Sequence, residues 1–414
     1  MARNRFGLIG KTLKHSFSPK LHKYLGDYSY ELFELKPDEL EIFFKRQDLK
    51  AINITMPYKE EAMKYCNKFS PEALRIGCIN TAIWDGEDII GYNTDYYGCM
   101  EMLKEIDLEI KGSTVAILGD GSTSKTVRVA LEDLGAKEIL NISRRGEIKF
   151  NDMEKYNHVE VIVNATPVGM YPNNLESLLN LKDFPKLKAV ADVVYNPLRT
   201  KLILDAKRLG IRTSTGLKML VYQGIKANEL FFDRKIEKEE SKKIYSSIYR
   251  DVSNIVLIGM PGSGKTSIGR SLAKKLGRGF VDLDREIEKI DGISVQQIFE
   301  NYGEDGFREF ENAACIKYGK ETGIIISTGG GVVLDKQNFN PLKQNGIIVQ
   351  IDRKLNKLAT KGRPLSKGGF GNLVKLQIER TKKYQDFADF KVVNIYHPDC
   401  VEDIINEFNE ITGC

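Results

Sequence analysis

Nowhere along these 414 residues do eighteen apolar side chains run together, and no apolar stretch follows Met1. The start, Met1-Ala2-Arg3-Asn4-Arg5, leads straight into a strand-like Phe6-Gly7-Leu8-Ile9. Neither a membrane span nor a secretory signal is expected. The six cysteines (66, 78, 99, 315, 400 and 414) show no Cys-x-x-Cys spacing and join no His/Cys ligand cluster. Without export signals they read as reduced thiols of a cytoplasmic protein rather than a disulfide framework or a zinc site. Charge of one sign is also missing: 62 Lys+Arg against 57 Asp+Glu leave +5, spread along the whole chain. Nucleic-acid binding would concentrate that excess in a stripe, so neither nucleic acid nor membrane is expected as a partner. Small anionic substrates suit the balance better.

What is present is an ordinary globular mixture, 42% hydrophobic and 29% charged, at a length that predicts two or three domains. Three apolar runs each end in a glycine turn and precede a helical pattern. They are Phe6 to Gly10, Thr114-Val-Ala-Ile-Leu118 before Gly119-Asp-Gly121-Ser122, and Asn254-Ile-Val-Leu-Ile258 before Gly259-Met-Pro-Gly-Ser-Gly264. Glycine-bounded runs alternating with amphipathic stretches predict parallel α/β architecture throughout. The charged stretch Arg234–Arg250 lacks glycine and proline and reads as a helical connector, with the main boundary near residue 250.

Gly259-Met-Pro-Gly262-Ser263-Gly264-Lys265-Thr266 satisfies the P-loop pattern between a strand and a helix. Its backbone amides can close around phosphates, with Lys265 reaching the β/γ-phosphates and the Thr266 hydroxyl ligating magnesium. Downstream, Phe280-Val-Asp282-Leu-Asp284 reads as a strand end whose two carboxylates, spaced i, i+2, face the same side. One would hold magnesium and the other would orient or deprotonate a hydroxyl acceptor. Then follow Phe307-Arg308-x-x-Glu311, Gly329-Gly330-Gly331, Arg363-Pro-Leu365 and Glu379-Arg380.

In that order these motifs resemble shikimate kinase from about residue 253 to 414. The resemblance implies ATP and Mg2+ as cofactors, with Gly262 to Ser267 around the phosphates and Thr266 and Asp282 at the metal. It implies shikimate held by Asp284, Arg308, Gly330, Gly331 and Arg380, the two guanidiniums on its carboxylate. Catalysis would rest on Asp282, Asp284, Lys265 and Arg363, the last coming from a lid to neutralise the transferring phosphoryl group. The chain departs from the pattern between Asp352 and Gly362, which is short, and in the brief lid after Leu365. No adenine contact is assigned there, and Arg353 reads as a surface residue.

In the remaining two-thirds, Gly119-x-Gly121-x-x-Ser124 matches a dinucleotide fingerprint whose third glycine is serine. About 20 residues on, an NAD site would place an acidic residue, but Ser143-Arg144-Arg145 stands there. Two guanidiniums in that place favour a 2′-phosphate, hence NADP. Lys59, within Asn53-Ile-Thr55-Met-Pro-Tyr-Lys59, carries a positive charge and a transferable proton, the requirement for reducing a ketone. Asp95, within Gly91-Tyr-Asn-Thr-Asp95, is its expected partner.

With His15-Ser16-Phe-Ser18-Pro19, Ile79-Asn80-Thr81, Asn164-Ala-Thr166-Pro-Val-Gly169-Met170, Asp192-Val-Val-Tyr195-Asn-Pro197 and Gly216-Leu-Lys-Met-Leu-Val-Tyr-Gln223, these motifs resemble shikimate dehydrogenase across residues 5 to about 235. The resemblance implies a catalytic Lys59–Asp95 pair and Ser16, Ser18, Thr55, Asn80 and Gln223 around the substrate. Cofactor contacts would come from Gly119, Gly121, Ser122, Ser143, Arg144, Arg145, Thr166, Met170 and Gly216. The implied α/β fold has a substrate domain over 1–98, completed by helices in 217–250. A Rossmann-type NADP domain over 99–216 and a P-loop kinase α/β/α domain over 251–414 follow it. The implied activity is NADPH-dependent reduction of 3-dehydroshikimate, then phosphorylation of the shikimate formed. The alternative is an active dehydrogenase carrying a kinase-like half impaired in catalysis. No oligomeric state follows from the sequence.

Overall fold

The short apolar runs become the buried strands of three sheets. The computed structural model describes residues 4–13, 16–46, 48–358 and 369–414, which form two compact units, 1–245 and 246–414.

The first unit opens with β1 (Arg5–Gly10), α1 (Ser18–Leu25), β2 (Tyr30–Glu34), α2 (Leu40–Phe44), β3 (Leu49–Ile54), β4 (Lys68–Phe69), α3 (Pro71–Ile76), β5 (Thr81–Asp85) and β6 (Asp88–Tyr92). Its sheet order is β2-β1-β3-β5-β6-β4. Uniformly parallel pairing does not hold here: β3–β5 and β5–β6 are antiparallel. Only Gly86 and Glu87 separate β5 from β6, too few residues for the crossover that parallel neighbours require.

A second sheet follows, made with α4 (Asp95–Lys104), β7 (Thr114–Leu118), α5 (Ser122–Asp133), β8 (Glu138–Ile142), β9 (Val161–Asn164), β10 (Ala189–Asp192), α6 (Lys201–Arg208), β11 (Arg212–Thr215) and α7 (Gly216–Phe232). Its order is β11-β10-β9-β7-β8, with every pair parallel. Alternation along the strands divides its core in two. Val115, Ile117, Val161 and Val163 pack against Val127 and Leu131 of α5, while Ala116, Leu118, Ile162 and Val190 pack against Leu202 and Ile203 of α6. Helices on both faces explain why these strands are apolar at successive positions. Each fully buried aliphatic side chain contributes about 1.5–3 kcal/mol.

After α8 (Lys238–Val252), the second unit runs β12 (Asn254–Ile258), α9 (Lys265–Leu276), β13 (Phe280–Asp282), α10 (Leu283–Asp291), α11 (Val295–Gly319), β14 (Ile325–Ser327), α12 (Phe339–Asn345), β15 (Gly346–Asp352), α13 (Gly369–Phe387), β16 (Phe390–Val393) and α14 (His397–Thr412). Helix α11 is broken at Gly303. The sheet is parallel in the order β13-β14-β12-β15-β16, with β12 central. Val256, Ile258, Ile326 and Ile348 face one core, and Ile255, Leu257, Ile325 and Val349 the other. In both parallel sheets the motif-bearing loops leave the carboxyl ends of the strands, where open α/β sheets bind ligands. No helix among the described residues is long and apolar enough to cross a membrane.

Candidate active sites

Within the first unit a cavity of about 390 Å³ collects Ser16, Ser18, Thr55, Lys59, Asn80, Asp95, Met170, Gly216 and Gln223. Lys59 lies in the loop after β3, and Asp95 is the first residue of α4, where the helix dipole favours a carboxylate. Lys59 Nζ donates to Asp95 Oδ2 at 2.6 Å, with only 14% and 12% of the two side chains exposed. Burial pulls the Lys59 ammonium down, but the charge and hydrogen bond of Asp95 outweigh it, so its pKa stands above the ordinary lysine value.

Polar neighbours hold one another in place around this pair. Asn80 Oδ1 accepts from the Thr94 amide at 2.7 Å, and Asn80 Nδ2 donates to Thr94 Oγ1 at 3.0 Å and Gln223 Oε1 at 3.4 Å. Gln223 Nε2 donates to the Leu220 carbonyl. Ser16 Oγ accepts from the Ser18 amide at the start of α1, and the Thr55 amide donates to Ile9. The cavity also contains Asn53 and Tyr195, to which no site role was given from sequence. Both were legible as motif members, Asn53 at the head of the segment that carries Thr55 and Lys59. His15 lies outside the described residues.

The cofactor motifs gather at the carboxyl edge of the second sheet. Gly119 follows β7 at φ +115°, and a Cβ there would come within 3.1 Å of the Ala165 carbonyl oxygen and of Thr166 Cγ2. Gly121 precedes α5, which begins at Ser122 and has no side-chain cap on its first turn. Those open amides and the turn glycine fit a pyrophosphate. Ser143, at the end of β8, is buried and accepts from the amides of Arg145 and Gly146. It thus shapes the turn that carries Arg144 and Arg145, both exposed. Thr166 is tied to Asn164 Oδ1 through its amide and its hydroxyl, and the Gly216 amide donates to Val194.

In the second unit the loop from Gly259 to Gly264 joins β12 to α9. Lys265 Nζ folds over it to the carbonyls of Gly259 (2.8 Å) and Met260 (3.2 Å). Ser263 Oγ is buried and has no hydrogen-bond partner among the described residues, as expected of a cradle built for phosphate oxygens. Gly262 and Gly264 line the same loop, and Ser267 Oγ turns back to the Gly264 carbonyl. Thr266 Oγ1 donates to Asp282 Oδ2 at 2.8 Å, so a hydroxyl and a carboxylate meet where magnesium would be held.

The strand reading of Asp282 and Asp284 needs correction. β13 stops at Asp282 and α10 begins at Leu283, so Asp284 stands in the first turn of a helix. A carboxylate is favourable there, and the spacing no longer dictates a shared strand face. Asp284 Oδ1 and Glu311 Oε1 instead converge, each 2.8 Å from where a Cβ on Gly329 would lie. Arg308 donates to Glu311 (2.6 Å) and Glu304 (2.9 Å). Burial pushes the Glu311 carboxyl up to about 7 despite Arg308, and its Oε1 is unpaired among the described residues.

Arg380 Nη1 and the Tyr384 hydroxyl both donate to the Gly330 carbonyl, while Arg380 Nε is buried and unpaired among the described residues. A Cβ on Gly331 would overlap the Arg308 guanidinium, which sits where it does because this residue is glycine. Arg363 and the lid lie outside the described residues. Arg353 is not the simple surface residue expected: it is half-buried just past β15, with its Nε shielded from solvent. Glu311, Tyr384 and Asn394, whose Nδ2 donates to the Ser263 carbonyl at 2.7 Å, were not assigned from sequence.

Comparison with known proteins agrees with both halves. Residues 8–82 match the shikimate dehydrogenase substrate binding domain, and residues 261–409 match shikimate kinase. The shikimate dehydrogenase (NADP(+)) of Clostridium perfringens strain 13 is 36% identical over 264 residues, 59% of this chain and 97% of that protein. A chorismate mutase/shikimate 5-dehydrogenase fusion from Clostridium acetobutylicum superposes with a TM-score of 0.57 at 33% identity, over 60% of this chain and 97% of that one. Shikimate 5-dehydrogenase from Thermus thermophilus, in complex with NADP(H) and shikimate, gives 0.53 at 30% identity, over 59% and 99%. The chain belongs to the shikimate dehydrogenase family and joins to that enzyme a C-terminal shikimate kinase domain.

Proposed function

We propose that the first unit reduces 3-dehydroshikimate to shikimate with NADPH and the second phosphorylates shikimate with Mg-ATP, giving shikimate 3-phosphate. The observation that carries this reading is the buried Lys59–Asp95 pair in a polar cavity, on the same chain as a P-loop whose Thr266 meets Asp282. NADPH supplies the hydride when bound. Lys59 then gives its proton to the oxygen of the former ketone, and Asp95 keeps that lysine charged and aimed. Ser16, Ser18, Thr55, Asn80, Gln223 and Tyr195 hold the carboxylate and hydroxyls of the substrate. Gly119, Gly121, Ser122, Thr166, Met170 and Gly216 line the dinucleotide, while Ser143 sets Arg144 and Arg145 against the 2′-phosphate.

In the kinase half, Gly262, Ser263, Gly264 and Ser267 cradle the nucleotide phosphates. Magnesium, held by Thr266 and Asp282, offsets charge on the β- and γ-phosphates when bound. Lys265 and Arg363 neutralise the transferring group, and Asp284 takes the hydroxyl proton. Arg308 and Arg380 grip the carboxylate, with Gly330 and Gly331 allowing the ring to approach. The reading assigns three domains, 1–98 with helices of 217–250, 99–216 and 251–414, acting on small molecules in the cytoplasm without nucleic acid or membrane partners. An impaired kinase half is disfavoured, because Lys265, Thr266, Asp284, Arg308, Arg363 and Arg380 are all present in the sequence.

Paired single variants test the assignment. Lys59→Ala should abolish NADPH oxidation and leave phosphorylation of added shikimate intact, and Lys265→Ala should do the reverse. Loss of both activities in either variant, or of neither, would overturn it.

A further inference from the structure

The serine that replaces the fingerprint's third glycine has no place in the reaction described above. Ser124 is 3% exposed in the first turn of α5. Its hydroxyl lies 2.8 Å from the Gly119 carbonyl oxygen and 3.1 Å from Asn141 Oδ1. Asn141, on the neighbouring β8, donates Nδ2 to the same carbonyl at 3.0 Å. The single hydroxyl hydrogen can serve either acceptor, and in both arrangements the Gly119 oxygen is held. The Gly119 amide is tied as well, donating to Ile142 at 2.8 Å. Both peptides flanking this glycine are therefore fixed.

We propose that Ser124 and Asn141 are a positioning pair for the dinucleotide pyrophosphate. They keep the Gly119 carbonyl turned into the protein, so the turn offers the phosphates N–H groups and no carbonyl oxygen. Glycine at φ +115° is free to rotate its following peptide, and without the tether the negative end of that dipole can swing toward the anion. In the usual fingerprint the third glycine serves close packing of helix on strand. In this chain the serine gives up that small size and gains a tether. The inference rests on the dinucleotide reading of this turn.

NADPH binding to the full chain, followed by nicotinamide fluorescence without substrate, tests it. Ser124→Ala, Asn141→Ala and the double variant are compared with 2′-AMP, which carries the 2′-phosphate but no pyrophosphate. Losing one such hydrogen bond corresponds to roughly a fivefold to tenfold weaker NADPH, and the double variant should lose more. Affinity for 2′-AMP should hardly move. Ser124→Gly, which restores the fingerprint but not the hydroxyl, should repeat the loss. Unchanged NADPH affinity in the double variant would overturn the proposal, as would equal weakening of 2′-AMP. Wild-type protein that binds 2′-AMP and NADPH no better than AMP and NADH would overturn the NADP reading, while the positioning role, which concerns the pyrophosphate that NADH also carries, would still stand or fall on the double variant.

Discussion

Asp95→Asn separates the charge of the Lys59–Asp95 pair from its shape. At 2.6 Å, two unit charges attract by about 6 kcal/mol if the effective dielectric is about 20, an attraction that burial of both groups partly offsets. Asparagine removes the attraction and leaves the burial, the largest influence on Lys59 and one that opposes its charge. The lysine pKa must then fall. Because the protonated amine is the form that delivers the proton, activity should decline as pH rises, beginning at a lower pH than in the wild type. A general acid contributes about 10²- to 10⁴-fold. The variant should therefore lose on the order of 10²-fold in kcat/KM under mildly alkaline conditions and less under acidic ones. Initial rates of NADPH oxidation with dehydroshikimate, from about pH 6 to about pH 10, bracket the range in which a lowered lysine titrates. Phosphorylation of shikimate by the same preparation serves as the control. A pH profile parallel to the wild type, within about threefold in rate, would refute the idea that Asp95 keeps Lys59 charged.

Other sites give independent checks. Burial raises the Asp192 carboxyl to about 7, despite hydrogen bonds from Thr200, the Val194 amide and Asn164. Folding thus favours its protonated form, a stabilisation present below the unfolded value of about 3.9 and lost as pH rises through about 7, amounting to about 4 kcal/mol. Asp192→Asn should flatten the corresponding fall in melting temperature, and an unchanged slope would contradict this. Asn394→Ala strips the donor from the Ser263 carbonyl, and an unsatisfied buried carbonyl costs about 1–3 kcal/mol. The KM for ATP should rise about fivefold or more while that for shikimate stays within about twofold, as steady-state kinetics would show. Gly331→Ala forces the Arg308 guanidinium aside, so the KM for shikimate in the kinase reaction should rise about tenfold or more. Measured ATP affinity should be unaffected.

What could be read from sequence was chemistry carried by contiguous residues. The P-loop, the Ser143-Arg144-Arg145 turn and the segments bearing Lys59 and Asp95 each keep their meaning within a few residues. The Asp282/Asp284 geometry was misread because a three-residue strand passes directly into a helix, and spacing alone does not reveal that switch. The antiparallel β5–β6 pairing was hidden for a similar reason: its only local sign is the brevity of the Gly86-Glu87 turn. Tyr384, Asn394 and Asn141 act on backbone carbonyls 54, 131 and 22 residues away. Such roles depend on which strands and helices become neighbours, and no local motif encodes that. Arg353 was read as surface because its segment departs from the family pattern, yet its Nε is buried.

The central claim is that both chemistries run in one polypeptide. Purified full-length protein given dehydroshikimate, NADPH and Mg-ATP should oxidise NADPH and accumulate shikimate 3-phosphate, identified by mass. NADPH oxidation that stops at shikimate, with ATP untouched, would contradict the account and leave a dehydrogenase carrying a silent kinase fold.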